Sequence, residues 1–334
     1  IMRDILLTVQ LDNRERFRQV VLEEKARKEA GLIPGGHGVV QTRLGAQFSE
    51  AGWVAERLGG IDQLFFLRRL AEQIDTDWPA ALDALERVRS VIVNRSRLIC
   101  NVTLDAENWQ TFEPQLAAFV ASLPASAAQK ASWTPQPPPP FEGLTIPARV
   151  NYVAKGTNLY QHGYQEHGSV SVIINYLRTT WLWEKIRVQG GAYGGFCTFD
   201  RYSGLFSYLS YRDPNLLETL EVYDRTAQFL RELELDQDEL TKSIIGVIGS
   251  IDTYRLPDAK GYASLARYLA GDTDQDRQRR RDQVLGTTAA DFKAFASVLR
   301  QVSDEGHVVV MGSPQAIQAA NEKRGDWLQT TKVL

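Results

Sequence analysis

Five prolines between residues 135 and 140 constrain the fold of this chain more than any other feature. Consecutive prolines cannot occupy a helix interior or join a sheet ladder, and they favour a stiff, extended spacer. We therefore predict a proline-rich linker over residues 125–148 between two folded parts, residues 1–124 and residues 149–334. The run could also be a polyproline ligand for another protein, but a spacer between folded parts is the simpler interpretation.

Before the linker, apolar periodicity predicts a mostly helical segment. Alternating apolar residues at positions 98, 100, 102 and 104 add one half-buried strand. The cysteines, Cys100 and Cys197, lie in strand-like stretches and are predicted to be buried free thiols in a reducing compartment. The predicted helices cover residues 13–30, 44–58, 62–73, 79–93 and 107–122.

After the linker, strands and helices mix. Asp213-Pro214 predicts a capped helix start, and Asp236 with Glu239 predicts a capping box for the next helix. Further helices are expected over residues 166–187, 259–270, 273–285 and 289–301 and after Ser313-Pro314, with strands over 149–154, 195–200, 204–211 and 307–311.

Both parts therefore end alike, in helices, a strand and a closing helix. Their final strands lie about 207 residues apart, which indicates a duplicated unit. The second copy is nearly complete, whereas the first lacks its opening strands and helix. The predicted fold class is α+β: one and a half copies of an α/β domain in which a mixed sheet packs against helices.

Charge and hydropathy exclude several kinds of partner. The net charge of −3 argues against nucleic acid or an anionic membrane. The basic run Arg277–Arg281 lies between Asp276 and Asp282 and is typical of a solvated helix face. No stretch approaches the roughly 20 apolar residues that a membrane span requires. The chain opens on Ile1 without a signal segment, so we expect it to be a piece of something longer.

The four histidines do not predict a metal site. His162 and His167 flank a glutamate, as in the inverted zinc motif His-x-x-Glu-His, but they are five residues apart. That spacing turns them about 140° around a helix, so they cannot share a face. Gly163 would weaken the helix as well. His37 is predicted to be a turn residue and His307 a structural one, and no cysteine pair has metal spacing.

A glycine-rich turn between a helix and a strand is the best candidate for a functional site. Gly190-Gly191 and Gly194-Gly195 bracket Tyr193, and Arg187 ends the preceding helix. Nucleotide-binding glycine loops precede a helix, so the order here is the wrong one for them. Glycine stop signals with Arg187 complementing the helix dipole are one interpretation. The alternative is that Arg187 and Tyr193 are donors to one bound group.

The strings around this turn resemble a known family. Residues 175–210, with TWLWEKIRVQGGAYGGFC from Thr180 to Cys197, are similar to the C-terminal half of presequence proteases, zinc metallopeptidases of the pitrilysin and insulin-degrading-enzyme superfamily. The likeness covers essentially the whole chain. Three further matching strings are Tyr208–Leu216, Leu240–Gly246 and Leu256–Tyr262.

The resemblance implies two bowl-shaped halves, each with two similar pitrilysin-type α/β domains, that close around an unfolded peptide substrate. Zinc and its inverted motif would belong to the N-terminal half, the partner that is not in this chain, so these residues should bind no metal. Arg187 and Tyr193 would complete the active site on closure, and Gly190 and Gly191 would let the peptide approach. Tyr193 would donate to the carbonyl oxygen as charge develops there.

The implied function is the substrate-enclosing half of a zinc metalloendopeptidase that degrades short unfolded peptides. The chain alone is expected to be inactive. Its compartment would be the cytoplasm in a bacterium, or an organellar matrix or stroma in a eukaryote. Two alternatives stay open: a non-catalytic peptide-binding or scaffold subunit of the same fold, and self-association through an apolar surface left bare by the missing half-domain.

Overall fold

The computed structural model describes residues 1–127 and 130–334, and the two residues between them belong to the predicted linker. Within the described residues the helices are α1 (Met2–Thr8), α2 (Arg14–Gly31), α3 (Gly36–Gly45), α4 (Glu50–Gly59), α5 (Ile61–Thr76), α6 (Trp78–Ile92), α7 (Ala106–Ala121), α8 (Ser169–Thr179), α9 (Leu217–Glu232), α10 (Gln237–Ile251), α11 (Pro257–Ala270), α12 (Asp274–Leu285), α13 (Ala289–Glu305) and α14 (Pro314–Arg324). The strands are β1 (Phe141–Thr145), β2 (Tyr152–Asn158), β3 (Gly194–Phe199), β4 (Leu205–Tyr211), β5 (His307–Gly312) and β6 (Gln329–Lys332).

The chain divides into two compact units. The first unit comprises residues 1–27, 65–134 and 254–273, and the second comprises residues 28–64, 135–253 and 274–334. The described residues of the first unit form helices and turns without a strand. Its small apolar core consists of Val21, Leu67, Ile74 and Ala81 with Phe17, Leu70, Ala71 and Trp78 packed against it.

The second unit is built on a six-stranded mixed sheet in the order β3-β4-β2-β5-β1-β6. Strand β1 runs parallel to both of its neighbours, with Leu144 opposite Met311 on β5 and Thr331 on β6. The other pairs are antiparallel, and β3 lies at one edge with Cys197 opposite Tyr208 on β4. The α+β fold class, with a mixed sheet packed against helices, is confirmed.

Helices cover both faces of this sheet because its strands are apolar on both sides. On one face Val153, Phe206 and Tyr208 join the main core with residues of α8, α9 and α13. On the other face α3 packs so closely that a Cβ on Gly36 would lie 2.6 Å from the ring of Tyr152. The sheet is therefore a buried layer between helices.

Most predicted helices form, but the predicted strand at residues 98–104 is wrong. The segment contains neither helix nor strand, and Leu98, Ile99 and Leu104 are exposed. Alternation makes a strand only where a neighbour accepts its hydrogen bonds, and no described residue pairs with this segment. Of the two final strands from which the repeat is inferred, the first does not form. The second forms as β5 and is followed by α14, as predicted.

Three other local predictions need correction. The helix predicted over residues 44–58 is two helices, α3 and α4, because the side chain of Ser49 caps α4. Asp213 does not cap α9, which begins at Leu217; its carboxylate instead accepts hydrogen bonds from the Asn215 amide and the Thr219 hydroxyl. Helix α10 forms without a side-chain hydrogen bond at its cap, Asp236.

The predicted linker ends earlier than residue 148. Residues 130–140 contain neither helix nor strand, but Phe141–Thr145 form β1 inside the sheet. The chain also passes between the two compact units more than once. Its division into residues 1–124 and 149–334 stays a prediction.

The structure also shows which cysteine is buried and how the basic run is paired. Cys197 is a buried free thiol, as predicted, but Cys100 is exposed because its segment forms no strand. In α12, Arg281 makes a bidentate ion pair with Asp252, and Arg277 pairs with Asp274. No helix among the described residues is long and apolar enough to span a bilayer.

Candidate functional site

The helix that carries Arg187 is not the continuous one that the periodicity predicts. Helix α8 ends at Thr179, and Thr180 leaves helical geometry with φ −121° and ψ −86°. The chain then winds again as a π-helix over Trp183–Gln189. A π-helix turns its side chains differently from an α-helix and is frequent at functional sites. The break and rewinding place Trp183 and Arg187 together.

Glycines end this π-helix and set its distance from the sheet. Gly191 has φ +78°, which lets the Ala192 amide donate back to the Ile186 carbonyl. A Cβ on Gly195 would lie 2.9 Å from the Cβ of Ile186, so only glycine permits this close packing of the π-helix on β3. The glycine stop signal is therefore confirmed as a structural feature.

Tyr193 stands at the entry to the edge strand β3. Its backbone amide donates to the carbonyl of Tyr211, which fixes the main chain. Its side chain is 64% exposed, and its ring packs edge-on against that of Tyr211 at 5.6 Å. The phenol is thus anchored next to the edge strand by its backbone and stays accessible to a ligand.

Arg187 and Tyr193 meet in space. The Arg187 guanidinium lies 4.1 Å from the ring centroid of Trp183 and 5.6 Å from that of Tyr193. No described carboxylate forms an ion pair with it. Stacking on two aromatic faces orients the guanidinium plane while leaving its N–H groups free to bind. The arginine also lies in the last turn of the π-helix, so its position is compatible with both interpretations.

Both side chains line a cavity of about 880 Å³ in the second unit. Arg178 and Thr179 contribute from the end of α8, and Arg178 lies over the ring of Phe196 at 5.9 Å. No carboxylate lies among its described lining residues. The wall consists of His37, Asn175, Arg178, Thr179, Trp183, Arg187, Tyr193, Gly194, Gly195, Phe196 and Tyr211.

Sequence reasoning missed part of this wall. His37 is not a turn residue but lies in the first turn of α3, and its ring packs edge-on against Tyr211 at 4.9 Å. Its buried Nδ1 has no hydrogen-bond partner in the described part of the chain. The spacing of Asn175, Arg178 and Thr179, three and four residues apart, signals one helix face. No sequence signal joins His37 to that face.

The other candidate residues lie elsewhere. Gly190 and Gly191, predicted to bind substrate, are not among the described lining residues; the Gly190 carbonyl instead accepts a hydrogen bond from the Asn215 side chain. His162 bonds the Thr157 hydroxyl, and His167 bonds Ser169. Behind β3, burial raises the pKa of the Cys197 thiol well above its ordinary value, so it stays protonated.

The residues present do not fit a zinc ion. Within residues 1–127 and 130–334, no group of three or more His, Cys, Asp or Glu side chains could hold a metal. The cavity offers donors and aromatic faces rather than metal ligands. Donors of this kind can bind a carbonyl oxygen or an anion next to apolar groups.

Comparison of folds defines the class of protein. The chain superposes on a conserved protein from Enterococcus faecalis with a TM-score of 0.58, at 12% identity, covering 93% of this chain and 72% of that one. It superposes on a putative M16-like peptidase from Alicyclobacillus acidocaldarius with a TM-score of 0.51, at 12% identity, covering 93% and 73%. The chain therefore shares its fold with a putative M16-like peptidase.

Sequence comparison narrows that class to one family. Residues 141–314, just over half of the chain, match the PreP C-terminal domain family, and residues 1–70 match a family described as associated with subfamily C of the M16 peptidases. The chain therefore belongs to the family of presequence protease C-terminal domains. Residues 141–314 include every described residue of the cavity wall except His37.

Named relatives agree with this assignment. Presequence protease 1, chloroplastic/mitochondrial, of Arabidopsis thaliana is 44% identical over the full length of this chain, which covers 31% of that protein. Protein HypA of Clostridium perfringens is 29% identical over 94% of this chain and 32% of its own length. The mitochondrial presequence protease of Saccharomyces cerevisiae is 24% identical over 90% and 31%. The chain spans about a third of these relatives' lengths.

Proposed function

We propose that this chain is the C-terminal, substrate-enclosing half of a zinc metalloendopeptidase that degrades short unfolded peptides. The observation that carries the proposal is the stacking of Arg187 beside Tyr193 in a cavity whose described wall has no carboxylate. Family membership supports the reaction class. The zinc ion would be held by polypeptide outside these 334 residues, because the described residues lack a ligand set for it.

In this proposal each of the two side chains has its own task. The Tyr193 phenol donates a hydrogen bond to the scissile carbonyl oxygen, where negative charge grows as the peptide bond is attacked. Arg187 presents two parallel N–H donors to a backbone carbonyl further along the peptide and fixes its position. The remaining half of the protein closes over the cavity and excludes water. Peptide substrate and that second half are therefore the proposed partners.

Substitution of Arg187 tests the proposal in the complete protein. Lysine keeps the charge but loses the planar fork, so Arg187→Lys should lower kcat/KM for an unstructured peptide about 10- to 100-fold. Arg225→Lys, on an exposed part of α9, is the matched control and should leave the rate unchanged. Equal rates for Arg187→Lys and the unaltered protein would remove Arg187 from the mechanism.

The same assay separates the enzyme from a peptide-binding or scaffold subunit. A complete reading frame that encodes His-x-x-Glu-His on an upstream helix, with hydrolysis of the peptide, supports the enzyme. Binding of the peptide without hydrolysis by the complete protein would support the subunit instead. The compartment follows the source: the cytoplasm in a bacterium, and an organellar matrix or stroma in a eukaryote, as the names of the plant and yeast relatives have it.

A further inference from the structure

The cavity holds a second guanidinium that the proposed chemistry does not use. Arg178 lies on α8, two residues before the break at Thr180, and its side chain is exposed into the cavity beside Phe196. It makes no ion pair or hydrogen bond with another described residue. The described wall of the cavity supplies no carboxylate to pair with it.

Arg178 and Arg187 belong to different parts of the wall. Arg187 stacks on Trp183 and Tyr193, whereas Arg178 lies over Phe196 and shares its helix face with Asn175 and Thr179. The cavity therefore carries two positive charges, two separate donor forks and no negative charge among its described residues. A peptide that fills it with only backbone amides leaves one of these forks without a partner of opposite charge.

We infer that Arg178 binds a carboxylate of the peptide held in the cavity, and so favours substrates that present one there. The inference rests on the proposed function. A carboxylate matches the planar fork of a guanidinium with two parallel hydrogen bonds, and the ring of Phe196 supports the face of the guanidinium. The carboxylate comes from the C-terminus of a short peptide or from an acidic side chain. Asn175 lies on the same face, where its amide donates to the Ser243 carbonyl.

Peptides that differ only in their carboxylates test this directly. Four fluorescent versions of one unstructured peptide are compared: a free C-terminus without acidic residues, an amidated C-terminus, and the amidated form with one internal Glu or one internal Gln. Binding to the full 334-residue chain is measured by fluorescence anisotropy. A carboxylate in either place should tighten binding about tenfold over its neutral counterpart.

Substitutions of single arginines show which residue causes the preference for a carboxylate. Arg178→Gln should remove the preference, Arg178→Lys should keep only part of it, and the exposed Arg225→Gln should preserve it. Arg187→Gln should weaken all four peptides alike. Because Arg178 is exposed, unchanged circular dichroism and an unchanged Tm should accompany the loss in Arg178→Gln.

The outcomes separate this inference from the proposed function. Tight binding of all four peptides without a carboxylate preference overturns the role of Arg178 and leaves the peptide-binding site standing. A preference that persists in Arg178→Gln but is lost in Arg187→Gln overturns the role too. No binding of any peptide by the chain contradicts the peptide site itself. A preference for the free C-terminus over internal Glu, or the reverse, identifies the source of the carboxylate.

Discussion

At the scale of single residues, Tyr193 is the side chain whose chemistry is most open to test. Its hydroxyl is the donor that we place on the developing oxyanion, and its exposed ring makes the fold insensitive to loss of one oxygen. Tyr193→Phe in the complete protein should lower kcat about 10²- to 10³-fold with little change in KM, because the bond forms mainly in the transition state. Steady-state peptide hydrolysis measures this, with the exposed Tyr268→Phe as control. Near-normal turnover would exclude Tyr193 as a donor.

Glu56 is a residue whose protonation should alter stability. Burial raises its pKa above the ordinary value of 4.5, and only part of that effect is offset by the Arg43 guanidinium. Its Oε2 is buried without a hydrogen-bond partner in the described residues. The folded state therefore holds this proton more tightly than the unfolded state does. Stability from this group is present below pH 4.5 and is lost as pH rises from 4.5 through the raised pKa.

Replacing Glu56 by Gln should remove that loss. The free energy of unfolding of Glu56→Gln, minus that of the unaltered chain, should grow as pH rises across the same window. Urea unfolding at a series of pH values measures this difference in free energy. Glu221→Gln, at an exposed position of α9, should give a difference that does not change with pH. If the difference for Glu56→Gln also did not change with pH, Glu56 would have the same pKa in the folded and unfolded states.

The sequence predicted the pair at the site but not the wall around it. Arg187 and Tyr193 are close in the chain, so a glycine turn suffices to bring them together. Periodicity predicts one continuous helix through Arg178 and Arg187, whereas the structure places Arg178 on α8 and Arg187 on the π-helix after the break at Thr180. His37 is more than 130 residues away from the rest, and its place depends on α3 packing against the sheet.

At the scale of elements, one arginine connects α3 to its neighbours. Arg43 makes a bidentate ion pair with Glu142 on β1, at 2.7 and 2.9 Å, and also pairs with Glu56 on α4 and with Asp62. Arg43 and two of these carboxylates, Glu56 and Glu142, are buried. A buried carboxylate without its partner is costly, whereas the intact cluster is close to neutral in its net contribution.

Removing this arginine should therefore destabilise the second unit strongly. Arg43→Met keeps most of the side-chain volume but leaves Glu142 and Glu56 buried without a cation, at a cost of about 3–5 kcal/mol. Arg225→Met, at an exposed position of α9, should change stability by less than about 0.5 kcal/mol. Urea unfolding followed by circular dichroism measures both. A loss below about 1 kcal/mol for Arg43→Met would show that water reaches the cluster.

Elements were predicted well wherever a local pattern is enough to make them. Helix α9 buries Leu220, Tyr223, Ala227 and Leu230, whose spacing of three, four and three is that of one apolar helix face. Strand predictions depended on partners that a local pattern does not identify. The segment at 98–104 has the alternation but no partner among the described residues, while β6 lacks an apolar pattern and forms because β1 lies beside it.

At the scale of the whole molecule, the main question is which of the groups needed for the proposed reaction lie in this chain. The described residues supply two guanidinium groups and two phenols to one cavity, and the chain covers 31% of its Arabidopsis relative. Hydrolysis of a peptide bond also needs an activated water molecule, and the zinc ion that would activate it in the proposed mechanism has no ligand set among the described residues. The complete reaction should therefore depend on residues beyond these 334.

That dependence predicts how the isolated chain behaves. After incubation with zinc and dialysis, the 334-residue chain should retain far less than one zinc ion per molecule, because its described histidines and acidic residues form no ligand set. It should not cleave an unstructured peptide that the complete protein cleaves. Elemental analysis and mass spectrometry of the peptide measure the two properties, with the complete protein as positive control. One tightly held zinc per chain, or cleavage by the chain alone, would place the catalytic machinery inside these residues.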